Sequence, residues 1–124
     1  MTAARKATGL RHLVAAGLYS FGGAKRLLRE SAARHEVIAF AASVLMLLAI
    51  GAGITRLLVL VVLFFILFAI EAINTAIEEL ADMISPDYSV GARNAKDLGS
   101  LAVFLVIAAI GIYLAIVAGG LALS

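Results

Sequence analysis

Four polar residues close the most apolar stretch of the sequence: Glu71, Asn74, Glu78 and Asp82, within EAINTAIEELAD at 71–82. They follow fourteen uncharged residues, LLVLVVLFFILFAI at 57–70. At about 100° per residue the four fall on one helix face, within roughly 80° of arc. An ionised group at membrane depth costs about 2.5–3.5 kcal/mol on insertion scales, so several on one face imply something that they bind. Further along, RNAKDLGS at 93–100 sets Arg93, Lys96, Asp97 and Ser100 on one face at helical spacing. Carboxylates beside Lys and Arg at a membrane surface suit a polyphosphate with Mg²⁺. The cation takes one or two carboxylates plus phosphate oxygens. The basic side chains neutralise a transferring phosphoryl group, and a carboxylate can serve as general base toward a hydroxyl. Glu71 and Glu78 are two turns apart, roughly 10 Å along the axis, which suits separate tasks as base and metal ligand. A second metal ligand must then come from elsewhere, and Glu30 is the candidate.

Blander readings attach to the same residues. Asp82, Glu79 and Asp87 sit at or beyond the membrane boundary, and simple solvation is the favoured reading for Glu79 and Asp87. Arg93 and Lys96 serve equally as topology charges, Asp97 as a charge favoured by a helix N-terminus, and Asn74 as interhelical glue. Glu71 is hardest to dismiss, because no charge precedes it back to Arg56. His12 and His35 are too isolated to read as metal ligands. Neither GxxxxGK[ST] nor a kinase-type glycine loop occurs, so any ATP is held without those cradles. The rival outside enzymology is a small oligomeric cation pathway lined by Glu71 and Glu78. It leaves RNAKD unexplained, since cations would meet Lys96 and Arg93 at the mouth.

The elements that position these residues follow from hydropathy. The chain has 124 residues, 64% of them hydrophobic, against about 45–50% in a soluble domain. It reads as one all-α polytopic membrane domain spanning 1–124. A surface helix is expected at 8–34, and spanning helices at 35–52, 55–84 and 91–121. The surface stretch mixes Leu10, Leu13, Val14, Leu18 and Phe21 with basic residues, as an interfacial amphipathic helix does, and Gly22-Gly23 is expected to break or kink it. Gly51-Ala52-Gly53 forms a tight turn, and Ser85-Pro86-Asp87 ends the second spanning helix. Residues 1–8 are small and polar and read as mobile. No signal peptide is visible, since the first long apolar run begins at Val37.

Seven of the ten Lys and Arg lie at or before Arg34. That clustering, facing anionic lipid, accounts for the net charge of +2 without a nucleic-acid partner. It also places the N-terminus and the 82–97 region on the cytoplasmic side. With no cysteine, disulfides, thiolate catalysis and cysteine metal sites are excluded.

At EAINTAIEELAD and AKDLGS the sequence resembles the small bacterial integral-membrane diacylglycerol kinases, with the related undecaprenol kinases. The two stretches fit ExxNxAIExxxD and AKDxGS, and the resemblance runs from about Gly9 onward. It implies a homotrimer in the bacterial cytoplasmic (inner) membrane with active sites at subunit interfaces. It also implies transfer of the γ-phosphoryl group of Mg·ATP to diacylglycerol, giving phosphatidic acid, with undecaprenol as the alternative acceptor. Carried over by motif, Glu71 is the general base, and Asn74 positions the base or the substrate. Glu78 with Glu30 holds Mg²⁺ and contacts ATP. Asp82, Lys96 and Asp97 contact ATP, and Ser100 lies near the base on the lipid side. The N-terminal stretch adds Arg11 and Ser20 toward ATP, and Arg11 with Glu36 toward the lipid. Two departures stand out. The stretch from Tyr19 to Glu30 is one residue shorter than the family pattern, and Glu79 replaces a small or apolar residue. An extra carboxylate there either perturbs nucleotide affinity or is merely exposed.

Overall fold

The computed structural model describes residues 9–123, with side-chain surroundings for 9–121; the segment 1–8 read as mobile lies outside the described residues. Four helices follow one another: α1 (Leu10–Leu27), α2 (Ser31–Ala49), α3 (Ile54–Ile84) and α4 (Val90–Leu123). No strand occurs among the described residues. The last three helices are each long and apolar enough to cross a membrane. At 1.5 Å per residue, the 31 residues of α3 extend about 46 Å, well beyond a hydrocarbon core of about 30 Å. Its surplus is the acidic end.

The connections carry the turn chemistry that each end needs. Between α2 and α3 the backbone reverses through Gly51 (φ 68°) and Gly53 (φ 89°), a left-handed region that other residues enter only at a cost. Ser85 caps α3, donating its N–H to Ala81 O at 2.9 Å, and Pro86 blocks continuation. Ser89 Oγ accepts from Ala92 N–H at 3.2 Å, the N-cap bond that starts α4. Between α1 and α2 the turn is clasped by Arg34, whose Nη1 donates to Leu28 O at 3.0 Å and Arg29 O at 2.9 Å.

Three differences from the sequence reading concern local structure. First, α1 runs unbroken through Gly22 and Gly23. Two glycines cost a helix about 1 kcal/mol each, and the helix formers on both sides, AAGLYSF and AKRLL, carry it through. Second, α1 ends at Leu27 and α2 already starts at Ser31, so the stretch from Ser31 to Arg34 belongs to the first spanning helix rather than to the surface one. Third, α4 begins at Val90, two turns before Asp97, so Asp97 is not a first-turn charge stabilised by the helix dipole.

The core is a seam between α3 and its neighbours: Leu47 from α2, Ala52 from the turn, Leu60, Phe64 and Leu67 from α3, Val103, Ile110 and Val117 from α4. Phe40 meets Phe64 edge-on, with ring centroids 4.8 Å apart. Only 22%, 22% and 17% of the three apolar windows are buried inside the chain. The remaining apolar surface, Phe65, Phe104 and Ile116 among it, is a poor outside for water and a good one for lipid. The protein is a membrane protein on that ground.

Candidate active site

The polar face of α3 is graded in depth. Glu71 is 4% exposed and Thr75, one turn on, is 6% exposed. Asn74 and Glu78 are half-buried and Asp82 is exposed. The helix passes from the packed seam to its own protruding end over these three turns, so one face samples three environments. Asn74 Nδ2 donates to Glu78 Oε1 at 3.4 Å, a long i,i+4 bond. Asn74 Oδ1 is buried with no partner.

Two neighbouring elements complete the face. From α2, the Glu36 carboxyl reaches the Glu71 carboxyl. Glu36 is buried, and its Oε2 has no hydrogen-bond partner. Two carboxyl groups facing one another among apolar helices are costly to hold, and such an arrangement is expected where a ligand or proton is handled. From α4, Lys96 Nζ donates to Asp82 Oδ1 at 2.5 Å, and Glu78 lies close enough to attract the same ammonium group. Gly99 of α4 packs directly on Asn74: a Cβ there would overlap Asn74 Oδ1. The glycine is what lets α4 approach α3 at the polar face.

The third contributor is the end of α1. Arg26 Nη1 donates to Glu30 Oε1 at 2.7 Å, and its Nε donates to Glu79 Oε1 at 2.5 Å. Glu30 and Glu79 together, Glu30 foremost, raise the Arg26 pKa further above its ordinary value. Glu79 is therefore not simply solvated, as the sequence suggested, but joins α3 to α1 through an ion pair. Glu30 caps α2 in extended conformation, which leaves its side chain free of helix packing and able to turn toward α3.

Two clefts flank this arrangement. One, of about 380 Å³, is lined by Asp82, Asp87, Tyr88, Arg93, Lys96 and Asp97, among others. Its mixed charges suit a polar, anionic ligand. The other, of about 350 Å³, lies along α2 and α4 and is apolar, with Ala39, Phe64, Ile107 and Leu114 in its walls and Glu36 on its lining. A hydrocarbon chain with a polar end matches that shape.

The residues singled out by spacing divide accordingly. Glu71, Asn74, Glu78, Asp82 and Lys96 are brought together, with Glu36 added from α2. Glu30 is drawn toward α3 by Arg26. Asp97 is exposed and pairs loosely with Arg93 at 3.9 Å; Ser100 is exposed on α4. Arg11 and Ser20 are exposed on α1, and their side chains make no hydrogen bond or ion pair with other described residues. Arg26, Thr75 and Gly99 were not singled out by spacing. Of these only Arg26 carried a local signal, its i,i+4 relation to Glu30. A cation pathway fits poorly, since Lys96 stands on the acid face itself.

No group of three or more His, Cys, Asp or Glu side chains suited to a metal occurs among the described residues, so no protein-only cage is built there. Mg²⁺ needs none, because it binds through one or two carboxylates with substrate phosphates and water. The sequence offered Glu78 and Glu30 for that task, and Arg26 links Glu30 to Glu79, the neighbour of Glu78 on α3.

Comparison with known proteins follows the same lines. A family model described as prokaryotic diacylglycerol kinase matches residues 18–118. A diacylglycerol kinase of Sinorhizobium sp. is 52% identical over 112 residues, covering 90% of this chain and 82% of that protein. One from Haemophilus influenzae is 34% identical over 110 residues, covering 86% and 92%. One from Escherichia coli strain K12 is 31% identical over 106 residues, covering 84% and 86%.

Proposed function

The chain belongs to the prokaryotic diacylglycerol kinase family and is a lipid kinase of that family; we propose that it moves the γ-phosphoryl group of ATP to the hydroxyl of diacylglycerol, giving phosphatidic acid and ADP. The observation that carries the residue assignment is the buried Glu71 carboxylate, facing Glu36 and lying between the apolar groove of α2 and α4 and the charged cleft at Lys96.

The lipid enters along the α2/α4 groove, acyl chains outward, and its hydroxyl reaches Glu36 and Glu71. Glu71 takes the hydroxyl proton. The freed oxygen forms its bond to the γ-phosphorus as the bond to the bridging oxygen of ADP breaks, a direct in-line transfer with positioning and charge neutralisation as the main contributions. Asn74 orients Glu71 or the acceptor. Lys96, with Asp82 and Asp97, holds the nucleotide in the charged cleft. Glu78 and Glu30 would hold Mg²⁺, which would supply charge neutralisation at the phosphate oxygens. Ser100 lies on the lipid side, and Arg11 and Ser20 meet the substrates from the surface helix.

The assembly is a homotrimer in the bacterial inner membrane, with the N-terminus and the charged cleft cytoplasmic. The basic segment before Arg34 supports that orientation. A lone three-span chain has too few neighbours to keep the exposed Ser100 and the half-buried Glu78 away from lipid, and further copies provide the cover.

The test is ATP- and Mg²⁺-dependent phosphorylation in mixed micelles, offering diacylglycerol and undecaprenol separately, with Glu71→Gln alongside. Transfer to diacylglycerol that vanishes in the variant is expected. Preference for undecaprenol overturns the acceptor and keeps the chemistry; no transfer to either lipid from an intact oligomer overturns the reading.

A further inference from the structure

Arg26 and Glu79 stand outside the chemistry assigned so far. Their link is the only side-chain hydrogen bond between α1 and α3 among the described residues. The planar guanidinium spends one edge on each of two carboxylates from different elements, a geometry that Lys cannot reproduce. Glu30 would otherwise be a long, flexible side chain on a turn, with rotamer freedom to lose on each binding event. Glu79 directly follows Glu78 in α3, so whatever is tied to Glu79 is tied near Glu78. Only Oε1 of Glu30 is engaged by Arg26, which leaves the second oxygen to a ligand. Side chains as exposed as these, at 31%, 37% and 55%, gain little stability from pairing. Position is the larger effect of such a clamp.

We infer that Arg26 and Glu79 are positioning residues for phosphoryl transfer: Glu79 anchors Arg26, and Arg26 presents Glu30 beside Glu78 toward the divalent cation of the nucleotide. The inference rests on the metal role proposed above for Glu30 and Glu78. It assigns a task to the carboxylate by which this chain departs from the family pattern. The opposite sign is physically conceivable and distinguishable: were Arg26 a competitor for Glu30, removing it would tighten cation binding.

The experiment uses the full chain as its oligomer in mixed micelles, with Arg26→Ala, Glu79→Gln, their double variant and Glu78→Ala. Two readouts are taken: the Mg²⁺ concentration for half-maximal phosphorylation of diacylglycerol, and Mn²⁺ binding followed by electron paramagnetic resonance with a non-hydrolysable ATP analogue. Groups that orient a metal ligand typically change metal affinity by roughly 10-fold or more. Arg26→Ala and Glu79→Gln should each weaken Mn²⁺ and raise the Mg²⁺ requirement by about that factor, with the diacylglycerol KM unchanged. The double variant should be no worse than either single one, because the two act as one unit. Unchanged or tighter Mn²⁺ binding in the single variants, or effects that add in the double one, overturn the inference. Glu78→Ala separates the failures: if it weakens Mn²⁺ while the other variants do not, only the positioning role falls. If Glu78→Ala also leaves Mn²⁺ binding unchanged, the metal assignment falls and the positioning role falls with it.

Discussion

Gly99→Ala isolates the close approach of α4 to the polar face of α3. The substitution should help the helix, since Ala is favoured over Gly by about 1 kcal/mol in a helix interior. Against this, the new methyl overlaps Asn74 Oδ1. The overlapping atom is the end of a side chain, so Asn74 can swing aside rather than force the helices apart. Swinging aside breaks its bond to Glu78, which at 3.4 Å is long and contributes no more than about 0.5–1 kcal/mol. The two effects nearly cancel, so thermal unfolding of the oligomer should shift by less than about 5 °C. The kinetic effect does not cancel. A displacement of about 1 Å in a positioning group costs on the order of 100-fold in rate, so kcat for diacylglycerol should fall by one to two powers of ten. Steady-state kinetics and melting in the same micelles check both, with Asn74→Ala and the double variant beside them. The double variant should match Asn74→Ala, since once the carboxamide is gone the methyl has nothing to displace. A large loss of stability, an unchanged kcat, or losses that add in the double variant would refute this account of Gly99.

Three further substitutions probe separate parts of the fold. Glu71→Gln keeps the shape and removes the base, so kcat should drop by about 100- to 10,000-fold while size-exclusion profiles stay the same; substantial residual transfer reassigns the proton acceptor. Lys96→Ala frees Asp82 and removes one of the two cations, Arg93 being the other, that line the charged cleft, so the ATP KM should rise more than the diacylglycerol KM, and an effect confined to the lipid speaks against the nucleotide assignment. Tyr113→Phe deletes the hydroxyl that donates to Arg56 O at 2.5 Å, at the end of α3 remote from the acid face. It should lower stability by about 0.5–1.5 kcal/mol and leave every kinetic constant unchanged, and a changed kcat would show that the two ends of α3 are coupled.

Much of the molecule was legible because membrane helices announce themselves twice, by apolar length and by the polar residues they tolerate. The start and end of α3 followed from Gly53 and from Ser85-Pro86, and its acid face from a 3.6-residue period alone. Gly22-Gly23 misled because two weak helix formers do not outweigh the residues around them. Glu79 misled for another reason: its partner Arg26 is 53 positions away, and no local pattern encodes a bond between a surface helix and a spanning one. The same holds for Glu36 opposite Glu71, and for Gly99, whose importance lies in what packs upon it. Spacing shows which residues share a face, whereas the partner that each face meets is decided by packing.

The graded burial along α3 suits the several tasks proposed for this one helix. The proposed proton transfer from a lipid hydroxyl is best served by a carboxylate kept from water, and Glu71 is the most buried of the α3 carboxylates, facing the Glu36 that lines the apolar groove. Nucleotide phosphates cannot follow it there, because their own desolvation would be prohibitive. They can meet Glu78 two turns higher, where the helix is half-buried, with Lys96 of α4 alongside. Asp82 is exposed at the protruding end of α3, the end at which the proposed nucleotide would enter and leave. The spacing of about 1.5 Å per residue thus converts sequence order into depth, and depth into dielectric. A shorter α3 would end at the boundary and bring Glu71 to water; a longer apolar run would carry Glu78 below reach of the phosphates. The 31-residue length of α3 and the placement of its first carboxylate are one design constraint, set by where a membrane stops.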